Sequence, residues 1–382
     1  MVGVKALAYL DHAATTPMRP AAVEAMLPFL SERYANPSGS HRFARDARRA
    51  VDEARDVVAE VLGVLPGSVV FTGCGTESDN AAIDGAVQSA LAAPRPAVTV
   101  CPAAEHHAVL HSVEHAGGRI VPVDSSGRVD LDALADALDP DVCLVSVMAV
   151  NNEVGSITDL AAVSALVRDR CPDALLHTDA VQAACWSDLR TISPLVDLMS
   201  LSAHKFGGPK GVGVLTVGAG VEILPIIRGG GQERERRSGT HNVAGIVATA
   251  EALAATDAER AAELPRIAAL RDRLVDTLLA ELDGVIETVP RAHKVAGSAH
   301  VCIERIESEA LLYLLDTNDV CASAASACAS GAMEPSHVLA AMGVEPRWSA
   351  GALRMTLGAT STDADIDRAA QVVVEAVGKL RR

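Results

Sequence analysis

Two segments of the chain carry residue types suited to sulfur chemistry. Ser326-Ala327-Cys328-Ala329-Ser330 sets one thiol in a run of Ala, Ser and Gly, a composition that predicts a surface loop with Cys328 as a mobile nucleophile. Well upstream, Ser202-Ala203-His204-Lys205-Phe206-Gly207-Gly208-Pro209-Lys210-Gly211 places a lysine between phosphate-binding residue types and a Gly-Pro turn, where pyridoxal phosphate (PLP) would be held. A tethered thiol is useful only if another group activates what it attacks. PLP does that for amino acids, so the pair of segments points to sulfur chemistry on an amino acid.

Only five lysines occur, and Lys205 directly follows a predicted strand end; Lys210, in the same Gly-rich turn, is its competitor. Asp179 ends another predicted strand in His177-Thr178-Asp179-Ala180-Val181-Gln182, where a carboxylate would face the pyridine nitrogen; taken alone it reads as a helix N-cap. Phe71-Thr72-Gly73-Cys74-Gly75-Thr76 runs from strand into helix start, so Gly75 and Thr76 would cradle a phosphate, helped by Ser202 and His204, with Cys74 a passive neighbour. His106 follows a strand, suited to stack on the pyridine face and shuttle protons, or else to serve as a structural histidine. Asn151-Asn152-Glu153 offers amide donors for the cofactor's phenolic oxygen or a substrate carboxylate, and is also ordinary turn chemistry. Arg354, in the apolar Ala352-Leu353-Arg354-Met355-Thr356, needs an anion: a substrate α-carboxylate held bidentately, or an internal Asp or Glu.

The elements that would position these residues alternate. Short apolar runs (68–72, 97–101, 141–148, 174–178, 196–202, 212–217) read as strands, and 76–92, 105–116, 131–138 and 159–170 as helices. This β/α alternation predicts an α/β fold, a mostly parallel sheet covered by helices with ligands at the strands' C-terminal ends, where the chemical motifs fall. Beyond residue 257 a long helical pattern (261–282), a strand-like 298–304 and a helix from Asp363 predict a smaller α/β unit. The expected division is a large domain over 15–257 and a small domain over 1–14 and 258–382 carrying the cysteine loop, about 321–333.

Composition narrows the function classes. At 382 residues and 49% hydrophobic, the chain suits two packed domains. A formal charge of −16 argues against direct nucleic-acid or anionic-membrane binding, and the absence of long apolar runs makes a cytoplasmic location the default. Eight scattered cysteines with no CxxC pair argue against a metal site; Cys101, Cys143 and Cys302, inside apolar strands, read as core filling.

These residues resemble, in order and spacing and nearly end to end, the NifS/IscS-type cysteine desulfurases of the class V aminotransferase family, fold type I PLP enzymes. The markers are Tyr9-Leu10-Asp11-His12-Ala13-Ala14-Thr15-Thr16-Pro17, Asn36-Pro37-Ser38-Gly39-Ser40-His41, Thr76-Glu77-Ser78-Asp79-Asn80 and Val150-Asn151-Asn152-Glu153-Val154-Gly155. The Asp179 and Lys205 segments, Gly229-Gly230-Gly231-Gln232-Glu233-Arg234, Arg237-Ser238-Gly239-Thr240, and Ser326-Ala327-Cys328 with Glu334-Pro335-Ser336-His337 complete the set. The resemblance implies a seven-stranded-type sheet in the large domain, Lys205 as the cofactor-linking lysine, His106 stacked on the ring, Asp179 on the pyridine nitrogen and Gln182 near the phenolic oxygen. It also implies a homodimer in which Thr240 reaches the partner's PLP phosphate, a substrate carboxylate held by Asn152 and Arg354 with Asn36 nearby, and Cys328 on the longer loop of group I members.

Three departures from the family pattern stand out. Ala325 and Cys321 occupy positions more often Gly and Ser, Gly358-Ala359-Thr360 replaces Gly-Arg-x-Thr, and Glu235 interrupts Glu-Arg-Gly. The first brings in Cys321 as a candidate second thiol. The implied activity converts L-cysteine to L-alanine and a Cys328 persulfide passed to an acceptor protein, for iron–sulfur cluster assembly or thio-modification. Selenocysteine lyase, another class V lyase or aminotransferase, and a non-catalytic sulfur-relay scaffold are the alternatives.

Overall fold

The computed structural model describes residues 7–324 and 336–382. Chain order begins β1 (Ala8–Tyr9), α1 (Pro20–Met26), α2 (Pro28–Ser31), α3 (Arg42–Leu62), β2 (Val69–Thr72), α4 (Gly75–Ala92), β3 (Val98–Pro102), α5 (His107–His115), β4 (Arg119–Val121) and α6 (Leu131–Ala137). It continues through β5 (Val142–Ser146), α7 (Leu160–Arg170), β6 (Leu175–Asp179), β7 (Leu198–Ser202), β8 (Gly213–Val217) and α8 (Val243–Glu281). The last part is β9 (Val285–Glu287), β10 (Ser298–Ile303), α9 (Ser308–Asp316), β11 (Val320–Cys321), α10 (His337–Ala341), α11 (Pro346–Ser349), β12 (Ala352–Thr356) and α12 (Asp363–Leu380).

The central sheet has seven strands in the order β2-β8-β7-β6-β5-β3-β4. Only β8 runs against its neighbours; the other six are parallel to one another, which requires helical cover on both faces. Adjacent residues of one strand accordingly enter different cores. Leu144, Leu198 and Leu215 pack with Ile83 and Val109 of α4 and α5, whereas Met199, Leu201 and Val214 pack with Val58, Leu62 and Ile246 of α3 and α8. The sheet is the α/β architecture anticipated from the β/α alternation; the short strand β4 was not among the expected runs.

Beyond the sheet, β12-β10-β9 form an antiparallel sheet and β1 pairs in parallel with β11. Leu10 packs there with Leu274, Val301, Leu353, Ile366 and Val373 in a separate buried cluster. The expected helix over 261–282 proves to be the second part of α8, which starts at Val243 with Asn242 Oδ1 accepting from Gly245 N at 3.0 Å. Pro265 lies inside it, between Leu253, which packs in the sheet's core, and Ile267, which packs in the second cluster. A proline removes one helical hydrogen bond, and packing of both flanking stretches carries the helix through it.

Candidate active site

The C-terminal ends of β2, β3, β5, β6 and β7 share one edge of the sheet, and the sequence places its chemical residues just past those ends. Lys205 lies three residues beyond β7 and is largely buried. Its Nζ donates to the Ala14 carbonyl at 2.9 Å and also to that of Ala13. Burial, and then the nearby Arg354 charge, bring its amine down to about 8. Lys205, Gln182 and Asn152 line a cavity of about 220 Å³ together with His12, Trp186 and Gly358. Gln182 Nε2 donates to Ala13 O at 2.9 Å, so lysine and glutamine are moored to the same stretch after β1.

Asp179, the last residue of β6, is 7% exposed, and its Oδ1 accepts from Val181 N at 2.8 Å. That contact caps a turn, since no α-helix starts here, and its other oxygen takes no part in it. His106 caps α5 through Nδ1, which accepts from Ala108 N at 3.1 Å. Polar atoms of Asp79, His106 and Asp179 lie within 4.8 Å of one another. Burial raises the Asp179 carboxyl while His106 and Lys205 oppose the rise, and burial lowers His106.

Glycine at 75 is a steric requirement. A Cβ there would sit 2.9 Å from Val181 Cγ2 and 3.2 Å from Ser202 Cβ, so the first turn of α4 approaches the ends of β6 and β7 only without a side chain. Thr76 is exposed beside it and Ser202 is buried. Cys74, read as passive, is a structural residue, its Sγ accepting from Glu77 N at 3.4 Å as the α4 cap. His204 faces Thr15 Oγ1 at 3.1 Å, and burial brings its imidazole to about 4, keeping it neutral.

Arg354 on β12 is 6% exposed and makes internal contacts. Its Nη2 donates to Asp11 Oδ1 at 2.8 Å and its Nη1 to Asn152 O at 3.0 Å, the internal pairing; its buried Nε has no partner among the described residues. Asn151 is turn chemistry, with Oδ1 accepting from Glu153 N and Val154 N, whereas the neighbouring Asn152 is partly exposed and lines the cavity. Thr240 is exposed and lines a separate groove with Gly73 and Arg237. Asn36 Oδ1 accepts from Ser38 N. Cys328 lies outside the described residues. The second thiol, Cys321, is raised by burial and by Asp316, Asp11 and Asp319, which disfavours its thiolate.

Sequence reasoning passed over the residues behind the site. Asp79, Glu105 and His177 are 1%, 0% and 0% exposed. Glu105 Oε1 accepts from Met148 N at 2.7 Å; His177 bridges Ser146 Oγ at 2.8 Å and Ser200 Oγ at 2.9 Å. The signal available was a histidine inside the apolar strand Leu175-Leu176-His177, and two acids flanking assigned residues.

The residues fit PLP. A buried amine lies near neutrality, a buried carboxyl has an oxygen outside its turn contact, an imidazole stands beside that carboxyl, and a glycine-started helix abuts a buried serine. The match to the Aminotransferase class-V family model covers residues 8–369. An IscS-like cysteine desulfurase of Mycobacterium tuberculosis is 44% identical, with 98% of each chain covered. A solved NifS-like protein superposes with a TM-score of 0.90 at 35% identity, over 98% of this chain and all of that one. A solved cysteine complex of SspA gives 0.77 at 28% identity, covering 91% and 98%. The chain belongs to the class V aminotransferase family and, within it, to the NifS/IscS-type cysteine desulfurases.

Proposed function

We propose that the protein is a PLP-dependent cysteine desulfurase that converts L-cysteine to L-alanine and leaves the sulfur as a persulfide on Cys328 for an acceptor protein. The observation that carries this reading is Lys205, a buried amine near neutrality at the strand edge that also holds Asp179 and His106. When bound, PLP supplies the electron sink that makes the substrate's Cα–H and then its C–S bond breakable. Lys205 would link it, Asp179 would hold the pyridine nitrogen, His106 would cover the ring, and Gln182 and Asn152 would face its phenolic side. Gly75, Thr76, Ser202 and His204 would hold the phosphate. Thr240, outside its own chain's site, would serve the partner's in a homodimer.

Arg354 holds the substrate carboxylate, using the Nε that is buried without a partner among the described residues; Asn152 and Asn36 assist. Lys205 removes the Cα proton, and His106, kept neutral by burial, relays protons at the sulfur. Cys328 Sγ attacks that sulfur as the C–S bond breaks; the bonding electrons pass to carbon, which is then protonated, and an S–S bond forms on Cys328. The domain division at residues 14/15 and 257/258 is part of the proposal, supported by α8 packing into two separate clusters. No helix among the described residues is long and apolar enough to cross a membrane; the location in the proposal is cytoplasmic.

The test is alanine and sulfide release from L-cysteine with dithiothreitol, wild type against C328S, with the yellow band of lysine-bound PLP followed in parallel. Activity lost with the band retained is expected. Alanine formed from cysteine by C328S at the wild-type rate overturns the assignment, and a wild type that releases alanine from selenocysteine but not from cysteine would make the protein a selenocysteine lyase.

A further inference from the structure

Behind Asp179 the core holds polar groups that the proposed chemistry does not use. Asp79, one turn into α4, is 1% exposed and sits with Asp179 and His106 within 4.8 Å. Its Oδ1 has no hydrogen-bond partner among the described residues; His177 Nε2 is 3.7 Å away. His177 carries no charge to pair with it, because full burial brings its imidazole to about 3. Beneath the pair a chain of buried groups crosses three neighbouring strands: Ser146 on β5, His177 on β6 and Ser200 on β7, joined at 2.8 and 2.9 Å.

Two carboxyls this close and this dry cannot both be ionised. The facing groups decide which keeps the proton. Asp179 has His106 and Lys205 on its side, both favouring its charge. Asp79 faces Asp179, Glu105 and Cys74, which oppose its charge, and only the Ser200 hydroxyl favours it. A buried polar chain satisfied along its length fixes its end groups in place.

We propose that Asp79 is a positioning residue of the site: a protonated carboxylic acid that shares one negative charge with Asp179 behind the pyridine position and is anchored by the Ser200–His177–Ser146 chain. In the proposed state the Asp79 proton turns toward Ser200, whose hydroxyl then donates to His177 Nε2 while Nδ1–H donates to Ser146; the opposite tautomer, with Ser200 donating to Asp79, is the arrangement that would favour the Asp79 charge. An ionised Asp79 would double the negative charge beside His106, favour an imidazolium there, and remove the neutral base that relays protons.

The functional readouts rest on the PLP reading above; the structural one does not. In the PLP-free protein, an infrared difference spectrum of wild type against D79N should show loss of a protonated carboxylic-acid carbonyl band. In the PLP-loaded enzyme, D79L, which cannot donate to Ser200, should weaken PLP binding by about tenfold, the effect of losing one buried hydrogen bond. D79N, uncharged and able to donate, should restore most of that affinity and the wild-type pH dependence of the bound-cofactor spectrum. A carboxylate band lost in D79N, or D79N as impaired as D79L, overturns the proposal, as does D79L binding PLP with wild-type affinity. Infrared loss without any PLP binding would retain the protonated Asp79 and remove the cofactor reading instead.

Discussion

Two sets of buried acids are treated oppositely. Glu233 is enclosed by donors: Arg55 grips it with two nitrogens at 2.7 and 2.8 Å, and Phe71 N and His241 Nε2 each approach to 2.8 Å. Although burial opposes it, this pairing brings the carboxyl down to about 2. Asp79, Glu105 and Asp179 share a comparable depth with few donors, and burial pushes all three upward. A saturated buried pair fixes structure. Glu233, Arg234 and Glu235 take left-handed φ angles of 51°, 56° and 67°, conformations that persist where surrounding contacts over-determine them. An underpaired cluster keeps its capacity for a further cation, which is what a protonated pyridine nitrogen is.

The contrast breaks most visibly at Lys205, a cation whose charge favours ionised Asp179 in the underpaired cluster. K205A should lower cysteine turnover on the order of 10³-fold or more and remove the yellow band, while the thermal midpoint of the PLP-free protein stays near wild type. Retained turnover would place the chemistry elsewhere, with Lys210 next to be tried. R354K should lower kcat/KM by about 10- to 100-fold, chiefly through KM, because a point charge cannot replace the planar fork; an unchanged KM would return Arg354 to its internal bond with Asp11.

Stability sharpens the same comparison. E233Q leaves Arg55 buried without its counter-charge and should cost about 3 kcal/mol in denaturant unfolding. The sign follows from the lowered carboxyl: its contribution is complete above the ordinary value of 4.5 and is lost as pH falls toward 2, so E233Q and wild type should converge in acid. Glu105 runs the other way. Its carboxyl, raised by burial, stabilises the fold below the ordinary 4.5 and loses that contribution as pH rises, so E105Q should gain on wild type as pH climbs above 4.5. Parallel pH slopes for the two variants would dissolve the distinction. The smallest effect is kinetic: PLP uptake by the PLP-free enzyme should rise with pH, reach half its limit near 8 and level off above it as Lys205 loses its proton, whereas an ordinary lysine, at 10.5, would keep the rate climbing.

What the sequence disclosed follows from how each residue acts. Lys205, Asp179 and His106 sit at the ends of strands that are themselves visible as apolar runs, so local pattern and topology located them together. Asp79 and Glu105 occupy ordinary positions in or before a helix, and their significance arises from the fold bringing both acids close to Asp179 at the end of β6. Glu233 and Arg55 are far apart in the chain, and nothing local predicts their meeting. The start of α8 was missed because Pro265 and the Ala-rich turns before it obscure one helix serving two cores. The unusual Gly358-Ala359-Thr360 turn is explained only in three dimensions, where Arg266 of α8 donates to Ala359 O at 2.9 Å and Ser361 O at 2.7 Å.

The central claim is that sulfur leaves cysteine for one thiol of this chain. It is tested by a single turnover of PLP-loaded enzyme with L-cysteine and no reductant, followed by alanine quantification and peptide mass mapping. One alanine per chain with one added sulfur atom on the peptide bearing Cys328 is the expected result. Alanine without added sulfur, or sulfur carried by Cys74 or Cys321 instead, would contradict it.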